Sequence, residues 1–328
     1  MRTLITGGAG FIGSHMALEL LDAGEDVLVL DNLSTGLRRA VPADAKFVKG
    51  DVGDLDLVSD LLYRHEIDAI IHFAGSIVVP ESIADPLKYY RNNTCNSHAL
   101  VSCAIQNNVK YFIFSSTAAV YGIPETNPVS EDSRPQPISP YGSSKLMTEM
   151  MLRDAARAHD FSYVILRYFN VAGADPHGRS GQSTPNATHL IKVATQVALG
   201  LRPSLEVFGT DYPTPDGTCI RDYIHVSDLT SAHLAALRYL KGGGESVILN
   251  CGYGRGYSVL EVISSVKQAC GHEFDVHAAP RRVGDPVALI ADIHRIEKVL
   301  GWKPRYDDIN KIAAHAFDWE RRIIANDS

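Results

Sequence analysis

Thr6-Gly7-Gly8-Ala9-Gly10-Phe11-Ile12-Gly13 is a glycine-rich turn set between two regular elements. Before it, Thr3-Leu4-Ile5-Thr6 is a short, almost wholly apolar run, the kind carried by strands buried on both faces. After it, Ile12, Met16, Ala17, Leu20 and Leu21 fall on one helical face, and Gly24 supplies a stop. Glycines let the backbone turn tightly and approach a pyrophosphate. The helix N-terminus adds N–H donors and the positive end of a dipole. The turn alone is a weak signal, but strand before and helix after it make it a dinucleotide-binding turn.

The next strand, Val27-Leu28-Val29-Leu30, ends in Asp31. An acid at that distance from the turn can bind an adenosine ribose, and it would repel a 2′-phosphate, which favours NAD over NADP. Arg38 and Arg39 read as a solvated surface pair.

The rhythm continues outward. Phe47-Val48, Ala69 to Phe73, Tyr111 to Phe114 and Tyr163 to Leu166 are further apolar runs, with helical stretches between them. Strand–helix–strand repetition predicts an α/β fold with a doubly wound parallel sheet, Rossmann-like, over residues 1–170. After Asn170 come Gly, Pro, Ser and Asp, then helices near 189–200, 227–241 and 257–270 and a strand at Val247-Ile248-Leu249-Asn250. This predicts a second, smaller α+β substrate domain over 171–328, with some segments returning to pack on the first.

Composition excludes other classes. The chain has 328 residues, 45% hydrophobic and 21% charged, with a net charge of −7. That is an ordinary globular profile, and its acidity argues against nucleic acid as a partner. No run of ~18 apolar residues exists to span a membrane. With the first strand starting at Arg2, no signal or transit peptide is expected. Cys95, Cys103, Cys219, Cys251 and Cys270 are an odd, scattered set without C-x-x-C spacing, which predicts neither disulfides nor a zinc site. No metal is expected, and a reducing cytoplasm is the expected compartment.

Tyr141-Gly142-Ser143-Ser144-Lys145 places a phenol and an ammonium at i and i+4 on one helical face. A free tyrosine has a pKa of ~10. A nearby Lys⁺ and a cationic nicotinamide both favour phenolate and would turn Tyr141 into a base. Upstream, Phe114-Ser115-Ser116-Thr117 ends a strand, where open α/β sheets place their ligands.

With these residues in view, the chain resembles the extended short-chain dehydrogenases/reductases and, among them, the UDP-glucose (UDP-galactose) 4-epimerases. The similarity covers nearly the whole chain. It rests on TGGAGFIGSH at 6–15, LDNLSTG at 30–36, GD at 50–51, IHFAG at 71–75, PLKYYRNN at 86–93, FIFSSTAAVYG at 112–122, SPYGSSK at 139–145, LRYFNVAGA at 166–174, VFGTDYPTPDGTCIRDYIHV at 207–226 and APRRVGD at 279–285.

The resemblance implies Tyr141, Lys145 and Thr117 as catalytic residues, with Thr117 bridging the sugar 4-hydroxyl and Tyr141. For the cofactor, NAD, it implies Gly7, Gly10, Phe11, Ile12 and Gly13 at the pyrophosphate and Asp31 and Asn32 at the adenosine ribose. Asp51 and Val52 would flank the adenine. Phe73, Ala74, Gly75, Asn92, Ser115, Tyr168 and Phe169 would line the rest of the cofactor's path, with Tyr141 and Lys145 on the nicotinamide ribose. For the UDP-sugar it implies Asn170, His189, Leu190, Val207, Phe208, Arg221, Tyr223, Arg282, Asp285 and Leu289, besides Thr117 and Tyr141. Arg221 and Arg282 suit a diphosphate. A homodimer built from cofactor-domain helices is also implied.

Related dehydratases carry acids just before Val-Tyr-Gly. Here Ala118 and Ala119 stand there, and alanine transfers no proton, so epimerisation is expected over elimination. A 4-reductase or dehydrogenase of the same fold, and a non-catalytic NAD- or nucleotide-sugar-binding regulator, are the alternatives. Ile77, His189 and Leu289 depart from the usual lysine, asparagine and tyrosine of the epimerases and leave the preferred sugar open: hexose, N-acetylhexosamine or pentose.

Overall fold

In the computed structural model, residues 1–184, 187–282 and 284–327 are described. The first half runs β1 (Arg2–Thr6), α1 (Phe11–Asp22), β2 (Asp26–Asp31), β3 (Lys46–Lys49), α2 (Leu55–Arg64), β4 (Ala69–His72), α3 (Val79–Ala84), α4 (Pro86–Tyr89), α5 (Asn96–Gln106), β5 (Tyr111–Thr117), α6 (Pro140–Ala158) and β6 (Ser162–Tyr168). The second half runs β7 (Asn170–Ala172), α7 (Leu190–Ala198), β8 (Leu205–Phe208), β9 (Ile220–His225), α8 (Val226–Lys241), β10 (Val247–Cys251) and β11 (Gly256–Ser258). It ends with α9 (Val259–Cys270), β12 (Val276–Ala279), β13 (Ala288–Leu289), α10 (His294–Leu300) and α11 (Ile309–Asp327).

Seven strands form one parallel sheet in the order β3-β2-β1-β4-β5-β6-β10. The order reverses between β1 and β4, which opens a crevice at the strands' C-terminal ends. The middle strands are buried on both faces, hence their unbroken apolar character. On one face Met16, Ala17 and Leu20 of α1 pack with Leu229 and Leu237 of α8. On the other, Leu61, Leu100 and Leu152 come from α2, α5 and α6. Each such leucine contributes roughly 1.5–3 kcal/mol by leaving water.

The strand at 247, read from sequence as part of the second unit, is the seventh strand of the first sheet. Val247 pairs with Val164 and Cys251 with Tyr168. Its apolar side chains satisfy either sheet equally well, and only its pairing edge on β6 decides between them. The second unit is a four-stranded sheet of β11, β9, β13 and β7, a two-stranded sheet of β12 and β8, and a core in which Ile191, Val262 and Phe317 of α7, α9 and α11 meet. Among the described residues no helix is long and apolar enough to cross a membrane.

Candidate active site

The glycine turn sits at the crevice. Gly7 has φ +72°, and a Cβ there would come within 2.6 Å of the Ala74 nitrogen; one on Gly13 would meet the Gly7 oxygen at 2.2 Å. Both positions therefore require glycine. Gly10 caps α1 without a side-chain hydrogen bond, so the first-turn N–H groups remain available to an anion. Phe11 and Ile12 are the first two helical residues. These features fit a dinucleotide pyrophosphate.

Asp31 ends β2 and is buried. Its carboxylate accepts from the Ala9 N–H at 2.9 Å and the Leu33 N–H at 2.8 Å, so it ties the turn to the following loop. Asn32 donates to Asp51 at 2.8 Å, and Asp51 also accepts from Gly53 N–H and Asn96 Nδ2. Val52 is buried beside it. Arg38 stacks on the Phe47 ring, 4.6 Å from its centroid. At the end of β4, the N–H groups of Phe73 and Ala74 both donate to the Thr6 oxygen. Asn92 donates to Ser76 Oγ at 2.9 Å.

Helix α6 opens at the Tyr141–Lys145 pair. Ser139 caps it through the Gly142 N–H at 3.2 Å, with Pro140 in the first turn. Tyr141 and Lys145 then point toward the end of β5. The Tyr141 phenol faces the Thr117 hydroxyl, which favours its ionised form. Burial pushes the Tyr141 phenol up, and Thr117 partly offsets this. Lys145 is 3% exposed and donates to the Ser115 carbonyl at 3.0 Å, above the Phe114 ring. Burial brings its ammonium down to about 8, against the opposing pull of Glu149. Ser115 Oγ lies 2.8 Å from His233 Nε2, whose other ring nitrogen meets the Leu229 carbonyl; Ser115 is therefore the donor. Burial raises the Tyr168 phenol well above its ordinary range.

The residues expected to bind the nucleotide sugar gather on the two smaller sheets and the start of α7. Asn170 pairs with Tyr223 across β7 and β9, and Arg221 with Leu289 across β9 and β13. Arg221 forms an ion pair with Asp285 at 2.8 Å. The Arg282 guanidinium lies 3.8 Å from the centroid of the Phe208 ring, next to buried Val207. His189 caps α7, and a cavity joins it and Leu190 with Asn170, Tyr223 and, from the glycine turn, Phe11. Leu289 packs with Phe169 and Ala118. Ile77 is 49% exposed and so is not part of a closed wall. Among the described residues no cluster of His, Cys, Asp or Glu could hold a metal ion.

Three polar residues escaped the sequence reading. Buried Asn93 accepts from Ser76 N–H at 2.7 Å and donates to Ser144. His233 holds Ser115 from α8. Glu149 sits two turns beyond Tyr141 on the same helical face and accepts from Ser116. The i+8 spacing was the available signal for Glu149; nothing local marks the other two.

Residues 3–252 match the model of the NAD dependent epimerase/dehydratase family. The UDP-glucose 4-epimerase of Azospirillum brasilense is 56% identical over 98% of this chain and 92% of its own. The UDP-glucose 4-epimerase of Brucella ovis, solved in complex with NAD, superposes with a TM-score of 0.94 at 44% identity over 97% of each chain. The UDP-Glc/GlcNAc 4-epimerase of Campylobacter jejuni does so with a TM-score of 0.86 at 52% identity over 98% of this chain and 99% of its own. With a glycine cradle at the switch point and a family match across three-quarters of its length, the chain belongs to the NAD-dependent epimerase/dehydratase family.

Proposed function

We propose that the chain is an enzyme that interconverts the C4 epimers of a UDP-sugar, UDP-glucose and UDP-galactose, with NAD held throughout the cycle. The observation that carries this is the meeting of Tyr141, Lys145 and Thr117 at the end of β5, beside the glycine cradle, with buried Ala118 next in the chain where an eliminating enzyme needs an acid. The named relatives support the same reading.

Gly7, Gly10, Phe11, Ile12 and Gly13 would hold the pyrophosphate, Asp31 and Asn32 the adenosine ribose, and Asp51 and Val52 the adenine. When bound, NAD supplies the hydride acceptor at C4 and a positive charge beside the phenol. Tyr141 takes the proton of the sugar O4 and later returns it. Thr117 orients that oxygen and stabilises the phenolate by its hydrogen bond. Lys145 adds a buried positive charge one helical turn away. Asn170, Val207, Phe208, Arg221, Tyr223, Arg282 and Asp285 would anchor the UDP end while the sugar presents its opposite face. His189, Leu190 and Leu289 would shape the sugar pocket.

The division of labour would follow the sheets: the cofactor on the seven-stranded sheet, which takes β10 from the second half, and the nucleotide sugar on the smaller sheets formed by β7 to β9 and β11 to β13. Exposed Leu87, Met147 and Met150 on α4 and α6 support pairing of two copies through these helices. Five free cysteines support a reducing cytoplasm. The deciding experiment assays purified protein with UDP-galactose and no added cofactor. UDP-glucose formation supports the reading. Turnover that demands and consumes added NAD would make the enzyme a dehydrogenase, consumption of added NADH on a 4-keto sugar nucleotide would make it a reductase, and no turnover would make it a binding protein.

A further inference from the structure

Helix α6 grips the end of β5 through three side chains spaced one turn apart. Tyr141 meets Thr117. Lys145 Nζ donates to the Ser115 carbonyl at 3.0 Å. Glu149 Oε1 accepts from Ser116 Oγ at 2.5 Å. Positions i, i+4 and i+8 of the helix thus hold three consecutive residues of the strand.

Glu149 is itself held rigidly. It is 3% exposed, and Arg167 of β6 donates to it from Nε at 3.0 Å and from Nη2 at 2.5 Å. Arg167 also donates from Nη1 to the Tyr121 hydroxyl at 3.0 Å. Tyr121 donates to Asn250 Oδ1 at 2.7 Å, and Asn250 donates to the Val129 carbonyl. A buried polar chain therefore runs beneath the active site from α6 across β5, β6 and β10. Thr117 lies between two of its anchors, Ser116 and Tyr121.

We propose that Glu149 is a positioning residue for the reaction: through Ser116 and Arg167 it clamps the end of β5 to α6 and so sets the Thr117–Tyr141 and Ser115–Lys145 contacts. This rests on the assignment of Tyr141 as the base. A strand end that leads straight into a turn has no ladder partner beyond it, and a shift of ~1 Å in a reacting group costs on the order of 10²-fold in rate. The carboxylate also faces Lys145 along the helix and opposes its loss of a proton, and the ammonium's charge is felt in turn by buried His72 of β4.

Ser116→Ala tests this with the Glu149–Arg167 pair left intact. It should lower kcat for UDP-galactose about 10-fold or more, consistent with the loss of positioning, with KM, NAD retention and melting temperature near wild type. Loosening Thr117 weakens a contact that favours phenolate, so the acidic limb of kcat should move to higher pH. In cofactor-stripped protein, the tyrosinate absorbance titration should show one phenol moved upward, a change that disappears when Tyr141→Phe is added. Glu149→Gln, where it folds, should move the alkaline limb to lower pH. Wild-type kcat with an unmoved acidic limb in Ser116→Ala overturns the proposal, as does a loss of kcat that tracks lost NAD or a lower melting temperature. If wild type itself does not turn over UDP-galactose, the proposed reaction fails instead, and the tyrosinate titration still tests the clamp.

Discussion

The Thr6 hydroxyl lies 2.6 Å from His72 Nδ1 and joins the strand that leads into the glycine turn to its neighbour β4. On the other side of the ring, Nε2 meets Ser97 Oγ at 2.8 Å, and Ser97 donates onward to the Asn93 carbonyl. Ser97 therefore accepts from Nε2–H, and Thr6 donates to Nδ1. The imidazole is neutral and fully engaged, with no place for a second proton.

That arrangement predicts acid lability. Burial lowers His72 to about 3 and His15 and His233 to about 4. An unfolded histidine titrates near ~6.5. Below that pH the unfolded chain binds protons that the folded chain refuses, so stability falls with pH from about 6.5 down to the folded values. Melting temperature should drop progressively between pH 7 and 4.5, and His72→Gln should flatten the slope by one proton. A melting temperature independent of pH over that interval would remove the argument.

Tyr141→Phe should lower kcat by ~10²–10⁴-fold, the usual worth of a general base, while NAD stays bound. The fold should persist, because the ring stays packed against Tyr89 and only the hydroxyl facing Thr117 is lost. Retained full activity would dismiss Tyr141 as the base.

Lys145→Ala should act differently. It removes a buried charge one helical turn from the phenol and leaves the Ser115 carbonyl without its donor. Weaker NAD retention should accompany a fall in kcat, and the pH–rate profile should move to higher pH because the phenolate loses a favourable neighbour. The measurement is kcat against pH in parallel with cofactor content after gel filtration.

Ile77→Lys should cost little stability, because the side chain is half exposed. An ammonium there would add positive charge near the cofactor, and tighter NAD retention or faster turnover is expected. Unchanged retention and turnover would show that isoleucine at this position has no bearing on the cofactor.

The glycine turn and the strands around it were legible because one chemistry decides them: a both-face-buried strand is apolar throughout, as β4 shows, and a close backbone approach admits only glycine, as at Gly7 and Gly13. The partners of the polar residues in strand β9 were not legible. The strand buries Arg221, Asp222 and His225 among its six residues, and Asp222 is satisfied by the N–H groups of Tyr253, Gly254 and Ala291, all distant in sequence. Burial still raises its carboxyl to about 6. The same holds for Glu149, whose meaning depends on Ser116 and Arg167. Periodicity reports burial, while the partner of a buried polar group is fixed by topology.

Leu289 sets the last prediction. It ends β13 opposite Arg221 and lies in one buried cluster with Phe169 and Ala118, beside the residues proposed to hold the nucleotide sugar. A tyrosine there would add a ring and a hydroxyl to a cluster that already holds Phe169 and Tyr121. Leucine is shorter and leaves room beside the sugar, and a pocket that merely has space tolerates modest size changes at ~1–3 kcal/mol per group. The wild type should therefore epimerise UDP-N-acetylgalactosamine measurably beside UDP-galactose, and Leu289→Tyr should lose the N-acetyl substrate while keeping the hexose. Comparison of kcat/KM for UDP-galactose, UDP-N-acetylgalactosamine and UDP-xylose in both proteins makes the test. A wild type that ignores the N-acetyl sugar, or a Leu289→Tyr variant that accepts it equally well, would show that the gate lies elsewhere, with Ile77 and His189 next in line.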